Sequence, residues 1–285
     1  MNRLREWLAG GPLITDGAWG TELQARGLDP GTAPDTWNLT HPERVEAVAR
    51  AYVEAGSQVI LTNTFRANSV AMEGDLEAIN RAGVAISKRA AGKALVFASI
   101  GPTGKLLMTG EMSEEQATAA FAAQVAALAE AGADALLVET MSDIDEARLA
   151  VAAAKATGLP VIASFAFDSG KNKDRTMMGA TPEAVSAAMV EAGADSVGAN
   201  CGVGIEHVAL ICRRLRAACD LPIWIKPNAG LPKMEGTAIR YDTSPEFFAS
   251  HYSVLRDAGA SFLGGCCGST PDFVRALVNA RCASS

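Results

Sequence analysis

Two adjacent cysteines, Cys266 and Cys267, stand inside the glycine run Gly264-Gly265-Cys266-Cys267-Gly268, directly after the apolar segment Ser261-Phe262-Leu263. The glycines let the backbone turn sharply and remove bulk around the two thiols. Vicinal thiols in such a place can hold a metal, form a redox couple or simply pack. No Cys-x-x-Cys spacing supports redox chemistry. A third cysteine, Cys201, stands in the similar stretch Asn200-Cys201-Gly202. Three thiolates can bind zinc at about 2.3 Å each, and a catalytic zinc keeps its fourth position open. A centre so rich in negative charge suits a soft fourth ligand, a substrate thiol, which the metal would deprotonate. A free thiol with a pKa of about 8.5 is only a few per cent ionised at neutral pH, and correcting that is worth roughly 2 kcal/mol. Attack by such a sulfur on an electrophilic carbon needs no general base. No catalytic residue is therefore assigned beyond the bound substrate thiolate, and His41, His207 and His251 all fall at or inside predicted helices. Buried structural thiols remain the alternative for all three cysteines.

Carboxylates come next. Glu139 ends the apolar run Leu136-Leu137-Val138, and Asp16, followed by Gly17, ends Pro12-Leu13-Ile14-Thr15. Either could bind an ammonium group on the substrate; the alternatives are a turn at Asp16-Gly17 and an outward helix cap at Glu139. Thr64 and Asn228 could add neutral hydrogen bonds. Cys212 and Cys219 belong to a helical stretch around Ile211 to Ala218, Cys282 lies in the C-terminal tail, and all three read as packing or surface residues.

These residues are useful only if something gathers them. The chain repeats a pattern: Ala55-Gly56, Ala131-Gly132, Ala192-Gly193 and Ala258-Gly259 each close an Ala-rich, charge-studded segment and precede a short apolar run. The pattern reads as helix, glycine cap, then buried strand. Four further runs fit the strand role, at Pro12-Leu13-Ile14-Thr15, Ala94–Ala98, Pro160–Phe165 and Pro222–Ile225. Helix starts are marked by Thr181-Pro182-Glu183, Ser244-Pro245-Glu246 and Thr270-Pro271-Asp272. Ser113 with Gln116, and Thr40 with Glu43, have capping-box spacing. Strands alternating with helices predict a parallel sheet. Eight such units over about 270 residues predict a (β/α)8 TIM barrel, whose usual length is about 250, and a single domain over residues 1–285. A doubly wound open sheet of this width would be unusual. In a barrel the irregular stretches near 17–40, 101–112, 168–180 and 229–243 all lie at the C-terminal face, where active sites form. Asp16, Asn63-Thr64, Gly101, Glu139, Asn200-Cys201, Pro227-Asn228 and Cys266-Cys267 then converge on one mouth. A Schiff-base barrel would need a lysine there; Lys226 is the sole lysine so placed, and the glycines around Cys266 carry thiols rather than a phosphate loop.

Composition narrows the setting. The net charge is -7, with 49% apolar and 20% charged residues, the balance of an ordinary globular chain. No basic patch points to nucleic acid. No apolar run approaches the roughly 18 residues of a membrane span, and the N-terminus lacks a signal-peptide core. A cytoplasmic protein is expected, whose six cysteines serve metal or catalysis rather than disulfides.

Taken together, Thr15-Asp16-Gly17-Ala18-Trp19-Gly20-Thr21-Glu22-Leu23, Glu139-Thr140, Gly198-Ala199-Asn200-Cys201-Gly202 and Gly264-Gly265-Cys266-Cys267-Gly268 resemble the homocysteine S-methyltransferase family across nearly the whole chain. The resemblance implies a zinc barrel that methylates homocysteine to methionine. It implies Cys201, Cys266 and Cys267 as zinc ligands, with Asp16 and Glu139 at the amino-acid end of homocysteine. Asn63-Thr64-Phe65, Gly101-Pro102-Thr103-Gly104 and Lys226-Pro227-Asn228-Ala229-Gly230 look most like the homocysteine module of cobalamin-dependent methionine synthase. No Asp-x-His-x-x-Gly corrinoid signature is present, so a corrinoid is expected on another protein. Betaine or S-methylmethionine is the alternative donor. Betaine would need an aromatic box, to which Trp19, Trp37 and Tyr241 could contribute, although Trp19 and Trp37 read better as loop anchors. A homocysteine-binding subunit of a methyl-transfer complex is the non-enzymatic alternative.

Overall fold

The structure, a computed structural model, describes residues 3–235 and 238–284. Eight strands build the sheet: β1 (Leu13–Ile14), β2 (Val59–Leu61), β3 (Leu95–Ile100), β4 (Ala135–Met141), β5 (Val161–Phe165), β6 (Ser196–Gly204), β7 (Ile223–Asn228) and β8 (Ala260–Leu263). They pair in the order β1-β8-β7-β6-β5-β4-β3-β2, every pair parallel. A parallel bridge between Thr15 and Val59 joins the two end strands. The Gln58 amide supports it by donating to the Ile14 carbonyl at 2.8 Å. The sheet is thereby a nearly closed (β/α)8 barrel, as the alternation of elements predicts.

Each strand has two faces, and the two are sorted. Leu13, Val59, Leu61, Phe97, Ala135, Leu137, Ile162, Trp224 and Phe262 form one buried cluster with Leu4 from the N-terminal helix Arg3–Trp7. Their alternate neighbours, such as Ile60, Val96, Leu136, Val161, Val197, Ile223 and Ile225, pack in a second cluster with the surrounding helices. The period of two places the first set inside the barrel. Trp224 packs there on Phe97 and Phe262 at ring separations of 5.9 and 5.2 Å, and Trp7 closes on Phe97 at 5.6 Å. One step further along the same faces come Ser99, Glu139, Ser164, Asn200 and Lys226, all buried. An aromatic plug therefore underlies a polar layer.

The outer helices explain the repeats. Gly56, Gly132, Gly193 and Gly259 all have φ between 79° and 102°, the left-handed turn that ends a helix and sends the chain into the next strand. Ser113 forms a complete capping box with Gln116, and Thr181 and Ser244 accept from the amides of Ala184 and Phe247. Three expectations need correction. The Thr40 hydroxyl donates to the Thr36 carbonyl at the end of the short helix Trp37–Thr40, so Thr40 and Glu43 form no box and His41 precedes the helix Pro42–Glu54. Thr270 makes no side-chain cap. Cys282 lies in the helix Pro271–Ala283 rather than in a tail. The stretch after β7 also contains an antiparallel hairpin, Lys233–Glu235 with Ala238–Arg240. Among the described residues no helix is long and apolar enough to cross a membrane.

Candidate functional site

The three cysteines meet at the barrel mouth. The Sγ atoms of Cys201, Cys266 and Cys267 all lie within 4.8 Å of one another, and those of Cys201 and Cys266 are 2.8 Å apart. Strand β7 lies between β6 and β8 and ties them together. Pro227 stands opposite Cys201 in the β6–β7 ladder. Its carbonyl accepts from the Cys266 amide at 2.8 Å, and the Cys267 carbonyl accepts from the Ala229 amide at 2.9 Å. The neighbouring glycines are needed for close packing. A Cβ at Gly264 would strike Thr15, at Gly265 Ser269, and at Gly268 the Tyr241 ring. The space they leave is filled by these protein groups, which press the turn against β1 and the Tyr241 loop.

The donor set calls for a cation. Hydrogen bonds from Cys201 and Cys266 hold the Cys267 thiol down to about 3, with help from the Tyr241 hydroxyl. Hydrogen bonds with Cys266 and Cys267, and then burial, push the Cys201 thiol well up. Cys266 is lowered by its bond with Cys201, but the bond to Cys267, burial and the adjacent thiolate carry it up to about 12. Like charges this close repel, so three thiolates within 4.8 Å of one another need a compensating positive charge. Zinc fits: tetrahedral ligands at about 2.3 Å are separated by roughly 3.8 Å, inside the observed spread, with Cys201 and Cys266 opening by about 1 Å to take adjacent corners.

The polar residues around the thiols divide into committed and open. Asp16 is fully buried. Its Oδ1 is ion-paired with Lys226 Nζ, while Oδ2 accepts from the Leu61 amide and the Trp19 indole, each at 2.7 Å. By bonding Leu61, the side chain continues the β1–β2 seam where the backbone ladder stops. Gly17 packs under the Ser269 carbonyl and the Tyr52 hydroxyl, 2.7 and 2.8 Å from where a Cβ would stand. The Thr64 hydroxyl shares a 2.6 Å bond with Thr62 and donates to the Ser99 carbonyl at 2.7 Å. Glu139 and Asn228 differ. Glu139 Oε1 accepts from the Ser99 hydroxyl, and among the described residues its other oxygen takes no hydrogen bond. Burial pushes its carboxyl up to about 7 against the pull of Lys226, with Cys266 and Asp16 adding to the rise. Asn228 Nδ2 donates to the Gly202 carbonyl at 3.0 Å, while its buried Oδ1 has no partner among the described residues.

The homocysteine S-methyltransferase profile matches residues 13–281, which include every one of these groups. The chain belongs to the homocysteine S-methyltransferase family. It is 30% identical to methionine synthase of Mycobacterium leprae over 98% of its own length, and 30% identical to that of Mycobacterium tuberculosis over 94%. It spans about a quarter of the length of these relatives. Among solved structures it superposes on the metallated form of the homocysteine methyltransferase MmuM from Escherichia coli with a TM-score of 0.80 at 26% identity, covering 97% of this chain and 99% of that one. The oxidised form gives 0.82 at 24% identity, covering 98% and 99%, a likeness of fold.

In this member of the family, strand-end position brings Asn200 and Lys226 to the mouth but does not single out Ser99 and Ser164. Lys226, Asn200, Ser99 and Ser164 all share the interior face with the aromatic plug, and the alternation Trp224, Lys226, Asn228 is the signal that identifies the lysine. Of the aromatic residues, Trp37 is a buried anchor, packed on His41 at 4.6 Å and under Arg44. Trp19 is held by Asp16, and Tyr241 lies against Gly268 beside Cys267. His41 and His251 bond locally, to Thr40 and to the Phe247 carbonyl.

Proposed function

We propose that this chain transfers a methyl group to the thiol of homocysteine, giving methionine, with zinc held by Cys201, Cys266 and Cys267. The observation that carries the proposal is the convergence of three thiols within 4.8 Å beside a buried glutamate that keeps an open oxygen. When bound, zinc supplies the positive charge that keeps a substrate thiol ionised at neutral pH. The protein's own residues do the rest. Glu139 accepts the ammonium group of homocysteine, and that charge favours its ionised form. The Asn228 Oδ1 atom offers a second acceptor. Asp16 contributes through Lys226 and by closing the seam under the site, and Thr64 and Gly17 shape its wall. The reaction forms a sulfur–carbon bond and breaks the bond from the methyl carbon to its donor. The thiol proton leaves to solvent before transfer, so no histidine is required at the mouth.

For the donor, we favour a methyl-corrinoid presented by another protein, on the strength of the likeness to methionine synthases. A second reading is direct use of betaine or S-methylmethionine. It draws on Trp19 and Tyr241, whose rings stand next to Asp16 and Cys267 and could face an onium methyl group. A cytoplasmic location agrees with three thiols that must stay reduced.

The test is a donor panel. Zinc-loaded protein is incubated with homocysteine and, separately, methylcobalamin, betaine, S-methylmethionine, S-adenosylmethionine or methyltetrahydrofolate, and methionine is measured. Methionine from methylcobalamin alone is the expected outcome. Homocysteine binding without turnover with any donor would make this chain a binding subunit, and absence of homocysteine binding would end the proposal.

A further inference from the structure

We infer that Asn200 is a positioning residue that braces the substrate-binding carboxylate of Glu139 and the metal-binding thiol of Cys201 in one geometry. The inference rests on the functional reading above for the roles of those two groups. The brace itself rests on contacts. Asn200 is buried in the middle of β6, one residue before Cys201, after which the pairing with β7 shifts register. Its Oδ1 accepts from the Thr140 amide at 2.9 Å and from the Ser164 hydroxyl at 2.7 Å, and its Nδ2 donates to the Thr140 hydroxyl at 2.7 Å. Strands β4 and β6 are not neighbours; β5 lies between them. No backbone ladder can join them directly, and among the described residues this side-chain amide is the hydrogen-bonded tie that crosses.

What it ties is strained. Thr140 has φ 60° and Cys201 has φ 55°, both left-handed, and each sits where its strand departs from regular register. A β-branched residue is poorly suited to that region, because its Cβ crowds the backbone there. The Asn200 amide bonds both the N–H and the hydroxyl of Thr140, which holds the residue there. The turn at Thr140 in turn sets the direction of Glu139, its immediate neighbour. On its own strand Asn200 immediately precedes Cys201. One amide thus fixes two irregular strand ends, and with them the distance between the thiol cluster and the open Glu139 oxygen. A substrate with an ammonium group and a thiol at fixed separation would require that distance to be constant.

The test uses the full chain loaded with zinc and compares wild type, Asn200→Ala, Asn200→Asp and Asn200→Ala combined with Thr140→Gly. Zinc content, homocysteine affinity by calorimetry, and hydrogen exchange at the Thr140 amide are measured on each. Asn200→Ala is expected to keep zinc, expose the Thr140 amide to exchange and weaken homocysteine binding by about tenfold, the scale of the two of its three hydrogen bonds that hold Thr140. In turnover this should raise KM more than it lowers kcat. Asn200→Asp keeps an acceptor for the amide and should recover part of the affinity. Thr140→Gly should also recover part of it, because glycine adopts the left-handed turn without help. Unchanged affinity in Asn200→Ala, or loss of affinity that neither Asn200→Asp nor Thr140→Gly relieves, would overturn the inference. If wild type binds no homocysteine, the functional reading fails by itself, and Thr140 exchange still decides the brace: equal exchange in wild type and Asn200→Ala removes it.

Discussion

The ammonium of Lys226 is paired with the carboxylate of Asp16 beneath the three cysteines, their side chains only 2% and 0% exposed. Asp16 also receives the Leu61 amide and the Trp19 indole, so its charge is compensated on both oxygens. A buried carboxylate so satisfied is stable, and one stripped of its cation is not. Lys226→Met should therefore lower unfolding free energy by about 3–5 kcal/mol, the scale for breaking a buried pair. Adding Asp16→Asn should return part of it, since no unpaired charge remains. Denaturant melts of the single and double variants check this. Equal stability of the two would show that Asp16 bears no uncompensated charge after the lysine is removed.

Glu139 gives a pH signature. Burial raises its carboxyl from an ordinary value to about 7, against the stabilising pull of Lys226. A raised acid keeps its proton in the folded state after the unfolded chain has lost it. Its stabilising contribution is complete below the unfolded pKa of about 4.5 and is lost as pH rises through about 7. In metal-free protein, wild type should lose stability relative to Glu139→Gln between pH 5 and 8, by about 3 kcal/mol at most. Paired melts across that range measure the difference. A constant difference would place the titration elsewhere. Homocysteine affinity should rise over the same interval in wild type, because the ammonium needs the ionised form.

Most of this architecture is legible in the sequence. The Ala-Gly repeats mark helix ends because the left-handed turn is needed at each, and the apolar runs after them are the strands. The three cysteines and Glu139 could be gathered from strand ends alone. Ser99 and Ser164 could not, because their place in the interior layer depends on which alternate residues face inward. Lys226 looks like any strand-end residue until Trp224, two positions before it, is seen in the aromatic plug. The commitment of Asp16 was hidden for a different reason: its partners Leu61 and Lys226 are 45 and 210 residues away in sequence. Thr40 misled because capping-box spacing says nothing about the helix that ends at Thr40 itself.

Metal content separates the three clustered cysteines from Cys212 and Cys282. Cys201→Ala, Cys266→Ala and Cys267→Ala should each reduce bound zinc from about one per chain toward zero, since a structural or catalytic site needs at least three protein ligands. Cys212→Ala should retain zinc but lose stability, because its sulfur is fully buried and bonded toward the Ala258 carbonyl at 3.6 Å. Cys282→Ser, at an exposed position, should change neither. Elemental analysis of proteins purified without chelator provides the measurement. Zinc retained in full after loss of Cys266 would remove that residue from the site.

The glycines around the thiol pair make the sharpest steric prediction. At Gly264 a Cβ would overlap Thr15 Oγ1 and lie 2.6 Å from the Asp16 carbonyl. Neither group can withdraw freely: Thr15 bridges to Val59 at the barrel seam, and the Asp16 carbonyl accepts from the Gly265 amide. Gly264→Ala must therefore push β8 away from β1 and carry Cys266 and Cys267 with it. Overpacking of this kind costs about 1–3 kcal/mol, and more when the backbone itself must move. Gly20→Ala is the control, because nothing lies within 4 Å of a Cβ there and its φ is not left-handed. Thermal melts should separate the two variants by several degrees, for a shift of about 2–4 °C per kcal/mol in a domain of this size. Gly264→Ala should also bind zinc more weakly than Gly20→Ala. Matched melting temperatures and matched zinc affinities would mean that the seam yields without moving the thiols.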